Sequence, residues 1–189
     1  MYLSEKGVRI LFLLDVFDQT IKKLKAQTAN VITLANLALG GFSIIIGING
    51  NSNLSLLLIF LAALLDRFDG MVARKFKITS DLGKQLDSMS DIISFGVAPA
   101  LLVYHGILNE YGAPGIFFSV FFIGCGAFRL ARFNITENNG FYTGLPITAA
   151  GCLATLSYLA IPYFPPQSFI FIMIVLSFLM VSTFTLKKI

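Results

Sequence analysis

"LLDRFDGMVARKFKITSDLGKQLDSMSDIISFG", residues 64–96, decides what kind of protein this is. The stretch begins inside an apolar run, yet it puts Asp66, Asp69, Asp87 and Asp91 into what reads as helix. A charged side chain near a bilayer centre costs about 2.5–3.5 kcal/mol. Four acids within 26 positions therefore call for something that compensates them.

The surroundings are those of a membrane protein. Of 189 residues 56% are hydrophobic and 13% charged, with a mean hydropathy of +0.81. A soluble domain is nearer a quarter charged. Six runs approach the roughly 20 apolar residues a spanning helix needs: 31–49, 54–75, 82–104, 113–133, 144–162 and 168–186. The connections between them are short and rich in turn-forming residues, such as "NGNSN" and "PYFPPQ". The fold expected is an all-α integral membrane protein with six transmembrane helices. Residues 29–189 form its one membrane domain.

An N-terminal amphipathic segment, residues 1–28, precedes that domain. Its apolar core, Ile10 to Phe17, is short, and Lys22, Lys23 and Lys25 follow where a signal peptide would carry small residues. The pattern predicts an interfacial helix with its lysines towards phosphate.

Charge bias sets the orientation. With both termini in the cytoplasm, all fourteen Lys and Arg residues fall on inner segments: five before residue 26, five from Arg67 to Lys84, then Arg129 and Arg132, then Lys187 and Lys188. The outer loops hold none. A net charge of +4 thus describes a basic cytoplasmic face suited to lipid headgroups and phosphates, with no call for nucleic acid. Cys125 and Cys152 lie in apolar runs without metal-ligand spacing and read as small apolar fillers. His105 is expected near the opposite interface.

On a helix, positions i, i+3, i+4 and i+7 share a face. Asp66, Asp69, Gly70 and Ala73 do so on the second helix, and Gly83, Asp87 and Asp91 on the third. A short loop makes these helices neighbours, so four carboxylates converge just beneath the cytoplasmic surface. Arg67 and Arg74 neutralise part of that charge; the remainder invites hard divalent cations, Mg²⁺ or Mn²⁺. Two such ions can hold a pyrophosphate and activate a hydroxyl. A structural ion-pair network and an ion or proton pathway are the competing readings. Against the pathway, the fourth to sixth helices carry no acid that would extend a route outward.

The spacing Asp66-x₂-Asp69-Gly70-x₂-Ala73-Arg74-x₈-Gly83-x₃-Asp87-x₃-Asp91 resembles the signature of the CDP-alcohol phosphotransferases at every fixed position. "TLANLALGG" (33–41), "SDIISFGVAPALL" (90–102), "FRLARFN" (128–134) and "GLPITAAG" (144–151) are similar to the phosphatidylserine synthases of that family, in their shorter form. The resemblance implies a six-helix, homodimeric core whose site opens to the cytoplasm. It implies transfer of a phosphatidyl group from CDP-diacylglycerol to L-serine, with release of CMP. Acceptors such as glycerol 3-phosphate or inositol phosphate, and an ether-lipid CDP donor, stay open as alternatives.

The roles it implies are specific. Asp66, Asp69, Asp87 and Asp91 would bind two divalent ions, with Asp91 also the catalytic base for the serine hydroxyl. Thr33, Asn36, Asp69, Gly70, Ala73, Arg74 and Gly83 would line the nucleotide pocket. Arg129 and Arg132 are candidates for the serine carboxylate or a lipid phosphate, which a guanidinium binds in bidentate fashion; the alternative is that they are interface anchors.

Overall fold

The computed structural model describes residues 27, 30–76, 81–135 and 141–187. The interfacial helix expected over 1–28 lies outside the described residues, as do the side chains of Asp69, Ala73 and Arg74.

The described residues form six helical rods. They are α1 (Asn30–Ile48), α2 (Ser52–Phe76), a third rod assembled from α3 (Asp81–Asp91), a π-helical turn (Ile92–Val97) and α4 (Ala98–Gly106), then α5 (Ala113–Ile135), α6 (Ile147–Tyr158) and α7 (Gln167–Val181). α1, the third rod and α5 are long and apolar enough to cross a membrane. α2 has the length, with charges gathered at its C-terminal end. This is an all-helical integral membrane architecture.

Two expected spans are shorter than the apolar runs that suggested them. The run 144–162 is helical only from Ile147 to Tyr158, because Pro146 caps its start and the chain turns before Pro162, Pro165 and Pro166. The run 168–186 stops being helical at Val181. Its last residues, "TLK" at 185–187 (β2), pair antiparallel with Phe141–Thr143 (β1) in a two-stranded ribbon. The all-α expectation needs that one amendment. Apolar content made 182–187 look like helix, but the Ser-Thr-Phe-Thr run suits extended backbone once a partner strand is beside it.

The centre of the bundle is the π-turn, which touches α2, α3, α4, α5 and α6. Its cause is local. Pro99 has no N–H to offer the Phe95 carbonyl, and the ladder relaxes to i→i−5 bonding, with the Ala98 N–H on the Ile93 carbonyl. α6 crosses there at Gly151. A Cβ at 151 would lie 2.5 Å from the Phe95 oxygen, so only glycine lets the two backbones approach. In lipid, close packing and interhelical hydrogen bonds hold helices together, at about 0.6 kcal/mol per bond. Phe95, Phe122, Phe169, Met173 and Met180 fill the core. Val31, Phe42, Ile45 and Phe117 face outward.

Candidate active site

Asp66 stands ten residues before the C-terminal end of α2, and Asp87 and Asp91 stand one turn apart on α3. The two helices meet so that one carboxylate oxygen from each of Asp66, Asp87 and Asp91 lies within 4.8 Å of the others. Asp91 is the most enclosed of the three, at 8% exposure. The convergence expected from helical periodicity is therefore realised for these three. Asp69 follows Asp66 by one turn on α2, with its side chain outside the described residues.

α1 closes the inner side of this cluster. Ser90 Oγ donates to the Thr33 carbonyl at 3.2 Å, and Ser94 Oγ donates to the Asn36 carbonyl at 3.1 Å. Gly40 makes room for the same seam, since a Cβ there would sit 2.8 Å from the Ser94 Cα. Ascending together, these pairs set α1 parallel to the third rod, with Thr33 and Asn36 flanking the level of Asp91. Both residues are buried. Gly70 and Gly83 lie nearer the basic end of the bundle, Gly83 about 12 Å along the helix from Asp91.

α5 bounds the other side. Asn134 Nδ2 donates to Ser88 Oγ at 2.9 Å, which ties α5 antiparallel to α3 beside Asp87. On α5, which packs against the π-turn that follows Asp91, Arg129 lies five residues earlier, about 7–8 Å along the helix. It is 6% exposed, with its guanidinium 5.9 Å from the Phe133 ring centre.

Arg132, one turn away, has a different fate. Its guanidinium donates to the carbonyls of Val181 at 2.8 Å, Ser182 at 3.1 Å and Met180 at 3.5 Å. It thereby takes up the C-terminal carbonyls of α7, which no intrahelical N–H can reach. Of the two arginines grouped as candidates, Arg132 holds a helix end, while Arg129 is enclosed one turn earlier on α5.

Some site-building residues were not singled out from sequence. Ser88 and Ser90 on α3 and Ser94 on the π-turn tie the third rod to its neighbours, and the recurrence of serine along that rod was the available signal. Cys152, read as filler, lies on α6 within electrostatic reach of Asp66; nothing in its spacing pointed there.

The donor set suits a metal. Three carboxylates this close repel one another unless a cation intervenes, and all-oxygen ligands favour a hard divalent ion.

Comparison with known proteins agrees with this geometry. The sequence pattern of the CDP-alcohol phosphatidyltransferase family matches residues 26–186. The archaetidylserine synthase of Methanothermobacter thermautotrophicus is 38% identical over 157 residues, covering 82% of this chain and 66% of that protein. The CDP-diacylglycerol–serine O-phosphatidyltransferase of Bacillus subtilis is 39% identical over 130 residues, 68% of this chain and 73% of its own. That of Methanocaldococcus jannaschii is 40% identical over 125 residues, 66% and 57% respectively. The chain thus spans between about half and three quarters of the length of these relatives.

Proposed function

The chain belongs to the CDP-alcohol phosphatidyltransferase family, and on that premise we propose that it transfers a phosphatidyl group from CDP-diacylglycerol to the hydroxyl of L-serine, releasing CMP. The observation that carries this is the convergence of the Asp66, Asp87 and Asp91 oxygens within 4.8 Å. The serine acceptor is supported by the names of the relatives, both bacterial and archaeal.

Asp66, Asp69, Asp87 and Asp91 would hold Mg²⁺ or Mn²⁺, as two ions. Bound there, a hard divalent cation offsets pyrophosphate charge and stabilises the departing CMP electrostatically. The remaining work falls to the chain. Asp91 accepts the proton of the serine hydroxyl, a poor nucleophile without a base. Gly70, Ala73 and Gly83 leave room for the nucleotide, with Arg74 beside its phosphates and Thr33 on the α1 side. Arg129 binds the serine carboxylate through its fork of N–H donors. Arg132, committed to the end of α7, does not share that task. A single guanidinium matches an acceptor with one carboxylate better than one bringing a phosphate dianion. The basic end faces the cytoplasm, as the distribution of Lys and Arg supports, and the protein acts as a homodimer, as the family resemblance implies.

A second reading concerns the donor. The archaetidylserine synthase match covers more of this chain than the two CDP-diacylglycerol–serine O-phosphatidyltransferase matches, which supports an ether-linked CDP-lipid equally well. Apolar grooves for either chain type are alike.

The test is CMP release by purified protein with Mg²⁺ or Mn²⁺, offering CDP-diacylglycerol or its ether-linked analogue in turn. L-serine, glycerol 3-phosphate and inositol phosphate are added singly. Release that needs both metal and serine supports the reading, and the preferred donor decides the lipid. Release only with another alcohol would overturn the acceptor while keeping the reaction class. Silence with every pair would overturn both.

A further inference from the structure

Asn36 is a fully buried polar side chain of α1 at the level of Asp91. Its exposure is 0%, and among the described residues neither Oδ1 nor Nδ2 has a hydrogen-bond partner. Its main-chain carbonyl accepts the Ser94 hydroxyl. A buried amide left with both ends unmatched is strongly disfavoured, and native structures hold few of them. Such a group is accounted for when a ligand supplies the partner in the working state.

The position says which part of the ligand. Ser90 on Thr33 and Ser94 on Asn36 bracket Asp91 between them on the third rod. The amide therefore sits at the depth of the base and of the shared carboxylate oxygens. The small residues Gly83 and Gly70, which make space for a nucleotide, lie towards the basic end. Asn36 is thus displaced from the cytidine end, where the family resemblance had grouped it, to the end where bonds change.

Resting on the proposed transfer reaction, we propose that Asn36 is a catalytic residue: its Nδ2–H donates to a non-bridging oxygen of the lipid-bearing phosphate as that group is transferred. In the step, the serine oxygen forms a bond to this phosphorus while the bond from phosphorus to the bridging oxygen of CMP breaks. The hydroxyl proton passes to Asp91, and the bond's electron pair leaves on the CMP phosphate. Charge on the non-bridging oxygens has to be held throughout. A donor fixed in a dry site, with its backbone pinned by Ser94, needs no rearrangement to do so.

Asn36→Leu tests this, because leucine matches the volume and removes an amide that has no hydrogen-bond partner to lose among the described residues. Asn36→Ala asks the same question without a branched carbon to place. Turnover with serine, CMP affinity in Mn²⁺, and thermal midpoint are measured on the full chain in detergent. The expected result is a fall in kcat of about 10²–10³-fold, with CMP affinity within threefold and the midpoint of the leucine variant unchanged or raised. CMP affinity falling while kcat holds would return Asn36 to the nucleotide pocket and overturn the role. Midpoints lowered in both variants with turnover intact would make it structural. A wild type that releases CMP and variants that match it overturn the role alone; a wild type silent with every acceptor overturns the reaction and the role together.

Discussion

The same end of the bundle holds two polar regions built on opposite terms. In the acid cluster, Asp66, Asp87 and Asp91 face one another across α2 and α3, and Asn36 beside them has no hydrogen-bond partner among the described residues. In the clasp at the end of α7, the polar groups meet within the protein. Arg132 covers the carbonyls of residues 180–182, the Leu145 N–H reaches the Leu179 carbonyl at 3.0 Å, and the Gly144 N–H reaches Phe184 at 2.9 Å. The ribbon of 141–143 with 185–187 continues that satisfaction. The clasp is closed by bonds within the protein, whereas the acid cluster gathers like charges that a divalent cation could offset. Arg132 belongs to the clasp, and Arg129, one helical turn away on α5, is enclosed at 6% exposure.

The comparison can be broken from the acid side first. Chelation of divalent metal is expected to abolish CMP release, with Mn²⁺ or Mg²⁺ restoring it. Metal at a hundred times its Kd should also stabilise the fold by about 2.7 kcal/mol, visible as a higher thermal midpoint. A midpoint and turnover indifferent to chelation would remove the metal from this cluster.

Next in size, Asp91→Asn is expected to lower kcat by about 10²–10⁴-fold, the usual range for loss of a general base, while CMP still binds. Turnover near wild type would take Asp91 out of the mechanism.

Arg129→Ala sharpens the division on α5. Loss of a charge-assisted contact worth about 1.5–3 kcal/mol should cut kcat/KM for serine by roughly 10- to 150-fold, with CDP-lipid affinity preserved. Equal losses for serine and CDP-lipid would move Arg129 from acceptor to donor.

Arg132→Ala should do the reverse. Uncovering the α7 carbonyls is expected to reduce stability by about 1–3 kcal/mol, with kcat per folded molecule within threefold. A selective rise in serine KM would return Arg132 to the site. Smallest of all, Gly144→Ala strains a backbone at φ +71° and presses a Cβ within 2.6 Å of the Met180 carbonyl. A stability loss exceeding the 0.4–1 kcal/mol that alanine gains at compatible glycine sites is expected, read from the unfolding midpoint.

Much of the acid side was legible in the chain itself. Helical periodicity is a local property, so the spacing of Asp66, Asp87 and Asp91 already placed them on facing stripes, and the short α2–α3 connection made the stripes neighbours. The clasp was not legible, because hydropathy cannot tell an apolar helix from an apolar strand over six residues. Residues 182–187 are extended because 141–143 and Arg132 are there to receive them. The hold of Arg132 on the α7 carbonyls was equally hidden: both Arg129 and Arg132 are arginines on an inner helix end, and nothing local told which would meet a helix terminus.

By itself, then, the sequence determined the membrane class, the helical rods, the basic end and the acid stripe, all of which follow from side-chain chemistry repeated along one helix. Tertiary structure decided the rest. It set the π-turn at Pro99 as the hub against which Gly151 packs, set Thr33 and Asn36 at the depth of Asp91 through Ser90 and Ser94, and divided the arginines. Those outcomes depend on which backbone carbonyl or hydroxyl a neighbouring helix presents, and that is a property of packing between segments far apart in the chain.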